Sequence, residues 1–438
     1  MPSGISPAAF VAVIRRRMRG PIIVCAVCAS IWPQIAPAQD PGAITLRDAL
    51  ALTLQRNPEL AAYGKERAAA EAAILQAEVL PNPVLSLTVE NLGNSRLAQG
   101  GDRATAIQLG QLIELGGKRL ARIRAAEAGR DVAGWDYEAK RVEILFLVGQ
   151  RFVDLLVAQK KQLLAEESLA LARQVSDAAS RRVQAGKVSP VEETKARLAQ
   201  ASAEVELEQA RREGIAARHA LGALWNEPSP QFGRAAGDLA HGASLLPYDQ
   251  LAARVRDNPE LARWSSEIER RRALVATERS KAVPDVTVSA GVMRFSQFED
   301  SAFMVGVSVP LPLFDRNRGG ILEANHRLDK AADEARAVES RMLADLVRVY
   351  QRLAGIDAEL EILNKTLLPG AQSAFDAATR GYQLGKFGFL DVLDAQRTFA
   401  QVRIQNLRAL ADYRRGMSEI ERLIGGPLER LSGTPNKK

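Results

Sequence analysis

A duplication constrains the fold of this 438-residue chain more than any other feature of its sequence. The stretch 177–196 (DAASRRVQAGKVSPVEETKA) returns as 376–395 (DAATRGYQLGKFGFLDVLDA), with eight of the twenty positions identical. The segment 57–61 (NPELA) also returns unchanged, as 258–262. Two repeats of roughly 200 residues therefore make up almost the whole chain after its N-terminal region.

Each copy of the longer stretch predicts a bend between two long helices. Helical patterning runs up to Gln184 and Gln383, a glycine follows where a helix ends in a left-handed residue, and helical patterning then resumes. A glycine that only ends a helix in an ordinary bundle would look the same, but its recurrence in both halves favours two exposed hairpin tips. The predicted tip residues, on which a partner could dock, are Gly186, Lys187, Val188, Ser189, Gly385, Lys386, Phe387 and Gly388.

The N-terminus is typical of a protein that is exported. A basic run ends at Arg19, an apolar stretch covers 21–35, and the small-residue sequence Ala36-Pro37-Ala38 follows. This order predicts a signal peptide over 1–38. The apolar stretch is shorter than the twenty or so residues that a membrane-spanning helix needs.

Composition argues against several functions. Four of the positive charges behind the net charge of +7 lie in the predicted signal peptide, and no basic stripe with interleaved aromatic residues remains, so no nucleic-acid partner is expected. The only two cysteines, Cys25 and Cys28, lie in the same segment, and the three histidines are scattered. We therefore expect no enzyme activity, no cofactor and no metal held by the protein itself.

Two stretches of alternating residues predict β-hairpins over 84–113 and 285–312. In the first strand Leu85 and Leu87 fall on one face while Ser86 and Thr88 fall on the other. One apolar face and one polar face are typical of a strand between lipid and a lumen. A hairpin packed on a soluble core gives the same pattern, but export and the lack of a long apolar run after the signal peptide favour lipid.

Long helices follow each hairpin, over 118–184 and 316–383. A helix of 67 residues is about 100 Å long, at 1.5 Å per residue. Apolar residues recur at three- and four-residue steps, which predicts coiled-coil packing. Pro369-Gly370 should divide the second long helix into two.

Four strands in one chain cannot form a closed sheet, so the lipid-exposed edges require several copies. Three copies give twelve strands and an open lumen, whereas two give eight strands and an interior filled by side chains. The predicted fold class is thus mixed α and β: a trimeric outer-membrane β-barrel continuous with a periplasmic α-helical barrel. The predicted segments are the signal peptide (1–38), a first repeat (39–245), a second repeat (246–425) and a flexible tail (426–438).

Four motifs resemble the TolC family of outer-membrane efflux ducts, and most closely its branch for cobalt-zinc-cadmium and copper-silver efflux. They are Leu80-Pro-Asn-Pro83, Glu114-Leu-Gly-Gly117, Pro310-Leu-Pro-Leu-Phe-Asp-Arg316 and the segment from Gly385 to Arg397. The resemblance implies a homotrimer in the Gram-negative outer membrane that reaches into the periplasm. It also implies two partners, a periplasmic adaptor and a proton-driven inner-membrane pump of the resistance-nodulation-division class.

Asp391 and Asp394 are the candidate gate. They lie three positions apart on one helix face, and in a trimer they would place six carboxylates around the tip, where a carboxylate ring attracts cations. Acidic residues in any first helical turn also stabilise the helix N-terminus, which is the simpler explanation. The resemblance implies a cation-sensitive constriction at these two residues. The first repeat has Glu192 and Lys195 instead, so only the second repeat would form the gate.

Two alternatives remain open at this point. One is a duct of the same family that exports drugs or proteins, since the sequence discriminates weakly between substrates. The other is a soluble periplasmic coiled-coil adaptor or scaffold, in which the helical hairpins are structural and the strands form a small domain.

Overall fold

The computed structural model describes residues 42–90, 103–239, 245–296 and 300–428. The predicted signal peptide, most of the predicted tail and parts of both predicted hairpin loops lie outside these residues. The described helices are α1 (Leu46–Arg56), α2 (Pro58–Glu78), α3 (Lys118–Gln184), α4 (Pro190–Gly222), α5 (Tyr248–Val255), α6 (Pro259–Lys281), α7 (Arg318–Ile362), α8 (Leu368–Gln383) and α9 (Phe389–Leu423). The strands are β1 (Ala43–Thr45), β2 (Val84–Val89), β3 (Ala104–Ile113), β4 (Arg234–Ala236), β5 (Val286–Phe295) and β6 (Ser301–Ser308).

Four strands form one antiparallel sheet in the order β2-β3-β5-β6. Because residues directly opposite each other share a face, the register identifies the two faces. One transverse row is Leu87, Ile107, Val292 and Phe303, and the row beside it on the other face is Ser86, Gln108, Gly291 and Met304. The sheet therefore has one apolar and one mainly polar face, as the alternation predicts.

The apolar face is exposed in the single chain. Leu85 is 71% exposed, Phe303 91% and Val305 81%. On the polar face, the amide of Gln108 donates to the hydroxyl of Ser289, which donates in turn to the carbonyl of Gly306 at 3.3 Å. These bonds link three neighbouring strands on the polar face.

The second hairpin is shorter than predicted. Its last strand, β6, ends at Ser308, whereas the sequence pattern extends the hairpin to residue 312. Pro310 and Pro312 explain the difference, because a proline has no N–H to donate to the sheet. The alternation of Val307, Val309 and Leu311 continues beyond the last hydrogen-bonded residue.

The two long helical segments differ. α3 runs without interruption for 67 residues, as predicted. In the second repeat, the helix begins at Arg318 and is interrupted by a π-helical turn over Leu363–Leu367. Pro369 follows directly, in the first turn of α8. A proline lacks an N–H and clashes with the carbonyl four residues earlier, and the wider π turn accommodates both effects. The interruption therefore precedes the proline.

Two buried asparagines repeat the same structural role in the two halves. Asn57 caps α2 by accepting from Leu60 N, and its side-chain amide donates to Leu224 O at 2.7 Å. Asn258 caps α6 and donates to Leu423 O at 2.9 Å. Each asparagine thus ties the start of one helix to the end of the hairpin in its own repeat.

A small feature was not predicted from the sequence. Strands β1 and β4 pair in parallel, and β4 lies in the glycine-rich linker between the repeats. They pack beside a core that includes Val148, Leu155 and Trp225, which are at most 2% exposed. A second core joins α5, α7 and α9 around Leu346, Leu353 and Ile420. Among the described helices, none is long and apolar enough to span a membrane.

Candidate gate and docking site at the helical tips

Each helical hairpin turns through the same backbone motif. Gly186 has a left-handed φ of 66° and donates to Val183 O, while Lys187 donates to Arg182 O, both at 2.9 Å. Gly385 has a φ of 73° and donates to Tyr382 O at 3.0 Å, while Lys386 donates to Gly381 O at 2.8 Å. This pair of bonds is the Schellman motif, and it depends on a residue that tolerates positive φ. Local sequence therefore accounts for both bends.

The two tips start their returning helices differently. In the first, Ser189 caps α4, its hydroxyl accepting from Val191 N at 3.3 Å, and Pro190 follows as the first helical residue. In the second, Gly388 precedes α9 and its N–H donates to the carboxylate of Asp391 at 2.8 Å. In both tips a side-chain oxygen accepts from a backbone N–H at the start of the helix. In the first tip the accepting residue precedes the donor, whereas in the second tip it follows the donor.

Phe387 lies against Gly381 in the second tip. A Cβ atom built on Gly381 would overlap the Phe387 ring, so only glycine leaves room for that ring. Phe387 is nevertheless half exposed, at 50%, while Phe389 beside it is 2% exposed. Gly381 corresponds to Arg182 in the first repeat, at the 199-residue offset, so the two tips cannot pack alike here.

Arg182 joins the two tips. Its guanidinium donates to the carbonyl of Tyr382 at 3.3 Å and lies 4.4 Å from the centre of the Tyr382 ring. A cation over an aromatic face is an attractive arrangement. Sequence reasoning missed this contact, although the replacement of glycine by arginine between the copies was visible.

The tips are held together by a compact apolar cluster. Phe375 and Phe399 stack with ring centres 6.0 Å apart, and Tyr382 contacts Phe389 edge to face at 6.2 Å. Ala179 and Ala196 of the first repeat belong to the same cluster and are at most 1% exposed. Small residues on α3 and α4 let the aromatic residues of the second repeat approach closely.

The structure places both candidate gate residues at the surface of the first two turns of α9. Asp391 and Asp394 are exposed, and Asp391 makes the capping bond to Gly388. Asp394 makes no side-chain hydrogen bond or ion pair with another described residue. Asp391 thus has a structural role that Asp394 lacks.

The equivalent position in the first repeat differs in burial. Glu192 is half-buried, and one of its carboxylate oxygens, like the Tyr382 hydroxyl, is buried without a hydrogen-bond partner among the described residues. The eight predicted docking residues lie in two adjacent turns, and all but Val188 are exposed. In the described ranges, no group of three or more metal-ligating side chains is placed to bind an ion.

Residues 49–227 and 252–426 match the family described as outer membrane efflux protein. The chain belongs to this family. The two matched ranges fall in the two repeats, and together they cover most of the sequence. The protein is therefore an outer-membrane efflux channel, which confirms both the resemblance and the localisation predicted from the sequence.

Characterised proteins with similar sequences include two metal-resistance proteins. The cobalt-zinc-cadmium resistance protein CzcC of Cupriavidus metallidurans is 41% identical over 391 residues, which cover 89% of this chain and 92% of CzcC. The nickel-cobalt-cadmium resistance protein NccC of Alcaligenes xylosoxydans xylosoxydans is 29% identical over 70% of this chain and 68% of NccC.

A solved structure agrees with the fold. The crystal structure of CusC, described in terms of transmembrane channel formation, superposes with a TM-score of 0.73 at 15% identity. It covers 87% of this chain and 92% of that one. The likeness confirms the predicted fold class, which mixes α and β structure.

Proposed function

We propose that this protein is the outer-membrane duct of a heavy-metal efflux system and passively conducts metal cations out of the cell. The observation that carries the proposal is the 41% identity to a cobalt-zinc-cadmium resistance protein over nine-tenths of both chains. A duct need not bind its cargo, so the proposal requires no metal-ligating cluster in the protein.

The duct is a homotrimer. Strands β2 and β6 are the two edges of the sheet, and within the described residues neither outer edge is paired. An unpaired edge is not tolerated in lipid, because its N–H and C=O groups have no other partners there. Neighbouring strands are antiparallel throughout, so β6 of one copy can pair with β2 of the next and three copies close a barrel of twelve strands.

The helical tips are the docking points for a periplasmic adaptor, which connects the duct to a proton-driven pump of the resistance-nodulation-division class. Support comes from the length of α3, which at 1.5 Å per residue carries the tips about 100 Å from the sheet. Lys187 and Lys386 are exposed at this far end and form no ion pair with other described residues.

Asp391 and Asp394 form a ring of carboxylates that selects cations at the periplasmic end. Three copies supply six carboxylates, and rings of acidic side chains favour cations in channels. Asp394 is the stronger candidate for this role, because its carboxylate is not already used as a helix cap.

A strain that lacks this gene provides the test. We expect the deletion to lower the concentrations of cobalt, zinc and cadmium that stop growth, and a plasmid copy to restore them. The matched control is a plasmid with Gly355→Ala, a substitution at an α7 glycine where a new Cβ would meet no atom within 4 Å. Unchanged metal tolerance together with increased drug sensitivity would favour the alternative of a drug-export duct.

A further inference from the structure

The two outer edges of the chain carry exposed apolar side chains where the sheet meets the helices. One edge, which we name the acceptor edge, is residues 75–84, from the end of α2 to the start of β2. The other, the donor loop, is residues 309–317, from the end of β6 to the start of α7. Large exposed apolar patches mark contacts with other proteins or with a membrane.

Phe314 is the most exposed large side chain of the donor loop, at 98%, and Leu311 and Leu313 beside it are 74% and 67% exposed. The loop contains one internal turn and is tied to α6 at its C-terminal end. Leu313 N donates to Leu311 O at 2.8 Å, and Asn317, with a left-handed φ of 52°, donates through its side chain to the backbone and carboxylate of Glu278 in α6. Phe314 lies between this turn and the tie to α6, with its side chain exposed.

The acceptor edge offers a matching apolar surface. Leu75 is 68% exposed, Leu80 63% and Val84 66%. These residues follow one another from the last turns of α2 into the first residue of β2. Within the chain, α2 packs on α3, and this packing leaves the three side chains exposed.

The order of elements determines which surfaces can meet. The sheet order β2-β3-β5-β6 is repeated by the helices that continue from the strands, in which α2 packs on α3, α3 on α6 and α6 on α7. The acceptor edge and the donor loop are thus at opposite edges of both the sheet and the row of helices that continues from it. When β6 pairs antiparallel with β2 of another copy, the end of β6 at Ser308 comes beside the start of β2 at Val84.

We propose that the donor loop of one copy docks through Phe314 on the acceptor edge of the next copy, and that this contact anchors subunit association at the junction of sheet and helices. The occupant is a second copy of this chain, because the apolar surface continues directly from the unpaired sheet edge. This inference rests on the proposed function, since it requires copies that close into a barrel.

Cross-linking between introduced cysteines tests the contact. Both natural cysteines precede residue 29, so the sequence from residue 42 onward has a cysteine-free background. We expect the double variant Phe314→Cys with Leu80→Cys, treated with a short bis-maleimide in membranes, to give bands of two and three linked chains. Each single variant should remain unlinked. The matched control is Phe314→Cys with Leu384→Cys, since Leu384 is at least as exposed as Leu80, at 72% against 63%, but lies at the far tip.

A nitroxide label on Phe314→Cys shows whether the next copy or the lipid bilayer covers this surface. A label buried against the next copy is shielded from dissolved oxygen, whereas a label in lipid collides with it freely. A trimer that gives no Phe314–Leu80 cross-link, with or without an oxygen-accessible label, overturns this inference and leaves the proposed function standing. A chain that is monomeric in native mass spectrometry overturns the proposed function as well.

Discussion

The two helical tips share one backbone motif but differ at every position that follows it, over 188–195 in the first repeat and 387–394 in the second. Both turn at a left-handed glycine with the same pair of hydrogen bonds. The first tip has a serine cap and a half-buried glutamate, whereas the second has Phe387 against Gly381 and two exposed aspartates. Both copies keep the turn and the exposed lysine that follows its glycine, while the residues that begin the returning helices differ.

The long helical segments that lead to the tips also differ between the two repeats. The first repeat supplies an uninterrupted helix, and the second supplies a helix with a π turn at Leu363–Leu367. At this turn the buried Asn406 of α9 donates to Asn364 at 2.8 Å. π turns occur frequently at functional sites, and here the irregular shaft leads to the tip with the candidate gate residues.

Proline at both turn glycines should have the largest effect. Proline cannot adopt φ near +70° and removes the N–H that closes each turn, so Gly186→Pro with Gly385→Pro should abolish metal efflux. The measurement is metal tolerance of the complemented deletion strain. Trimers should remain in the outer membrane on native gels, and the single variant Gly385→Pro should lose more tolerance than Gly186→Pro. Normal efflux by the double variant would contradict docking at the tips.

Removing the candidate gate charges should change conductance strongly with little loss of stability. Asp391→Ala with Asp394→Ala should raise single-channel conductance or weaken block by divalent cations in planar bilayers, because the carboxylate ring is removed. Asp394→Ala alone should produce most of this change in conductance or block. Glu192→Ala, at the equivalent place in the first repeat, is the comparison and should change conductance less. If Glu192→Ala changed conductance as much as the aspartate substitutions, the gate could not be assigned to the second repeat.

Filling the space under Phe387 should loosen one tip only. Gly381→Ala places a Cβ inside the Phe387 ring position, so the half-exposed ring has to turn away from the helix. We expect faster hydrogen exchange over residues 381–389, with unchanged exchange over the first tip. Gly370→Ala, where a new Cβ meets no atom within 4 Å, should leave exchange at both tips as it is.

A cap at the N-terminus of the first repeat should give the smallest effect. The Thr45 hydroxyl donates to the Asp48 carboxylate at 2.6 Å, and hydrogen bonds from the Thr45 side chain and then its backbone lower the pKa of Asp48. The equivalent helix α5 begins after Pro247, which makes no side-chain cap bond. Thr45→Ala should therefore cost about 1 kcal/mol, measured as a lower urea midpoint.

The same cap has a defined pH dependence. The pKa of Asp48 is lower in the folded state than in the unfolded state. Ionised Asp48 therefore stabilises the fold fully above its unfolded-state pKa of about 4, and this stabilisation is lost as the pH falls through its folded-state pKa. Asp48→Asn should therefore lose less stability than the unsubstituted protein when the pH is lowered from 7 to 3. The prediction would be wrong if the urea midpoints of both proteins stayed the same over this range.

Sequence alone determined the features that depend on neighbouring residues. The duplication, the helix between Lys118 and Gln184 and the left-handed glycines at 186 and 385 follow from local periodicity and from the conformations that glycine allows. The two faces of the sheet were also correctly assigned, because alternation along a strand fixes its faces before any partner strand is known.

Tertiary structure decided the features that depend on residues far apart in the chain. Arg182 reaches Tyr382 across 200 positions, and Phe387 fits over Gly381 only because the turn folds it back. The three-residue strands β1 and β4 are too short to show a period, and their pairing depends on the core beneath them. Local conformation is encoded residue by residue, but which side chains meet depends on packing that no short stretch of sequence contains.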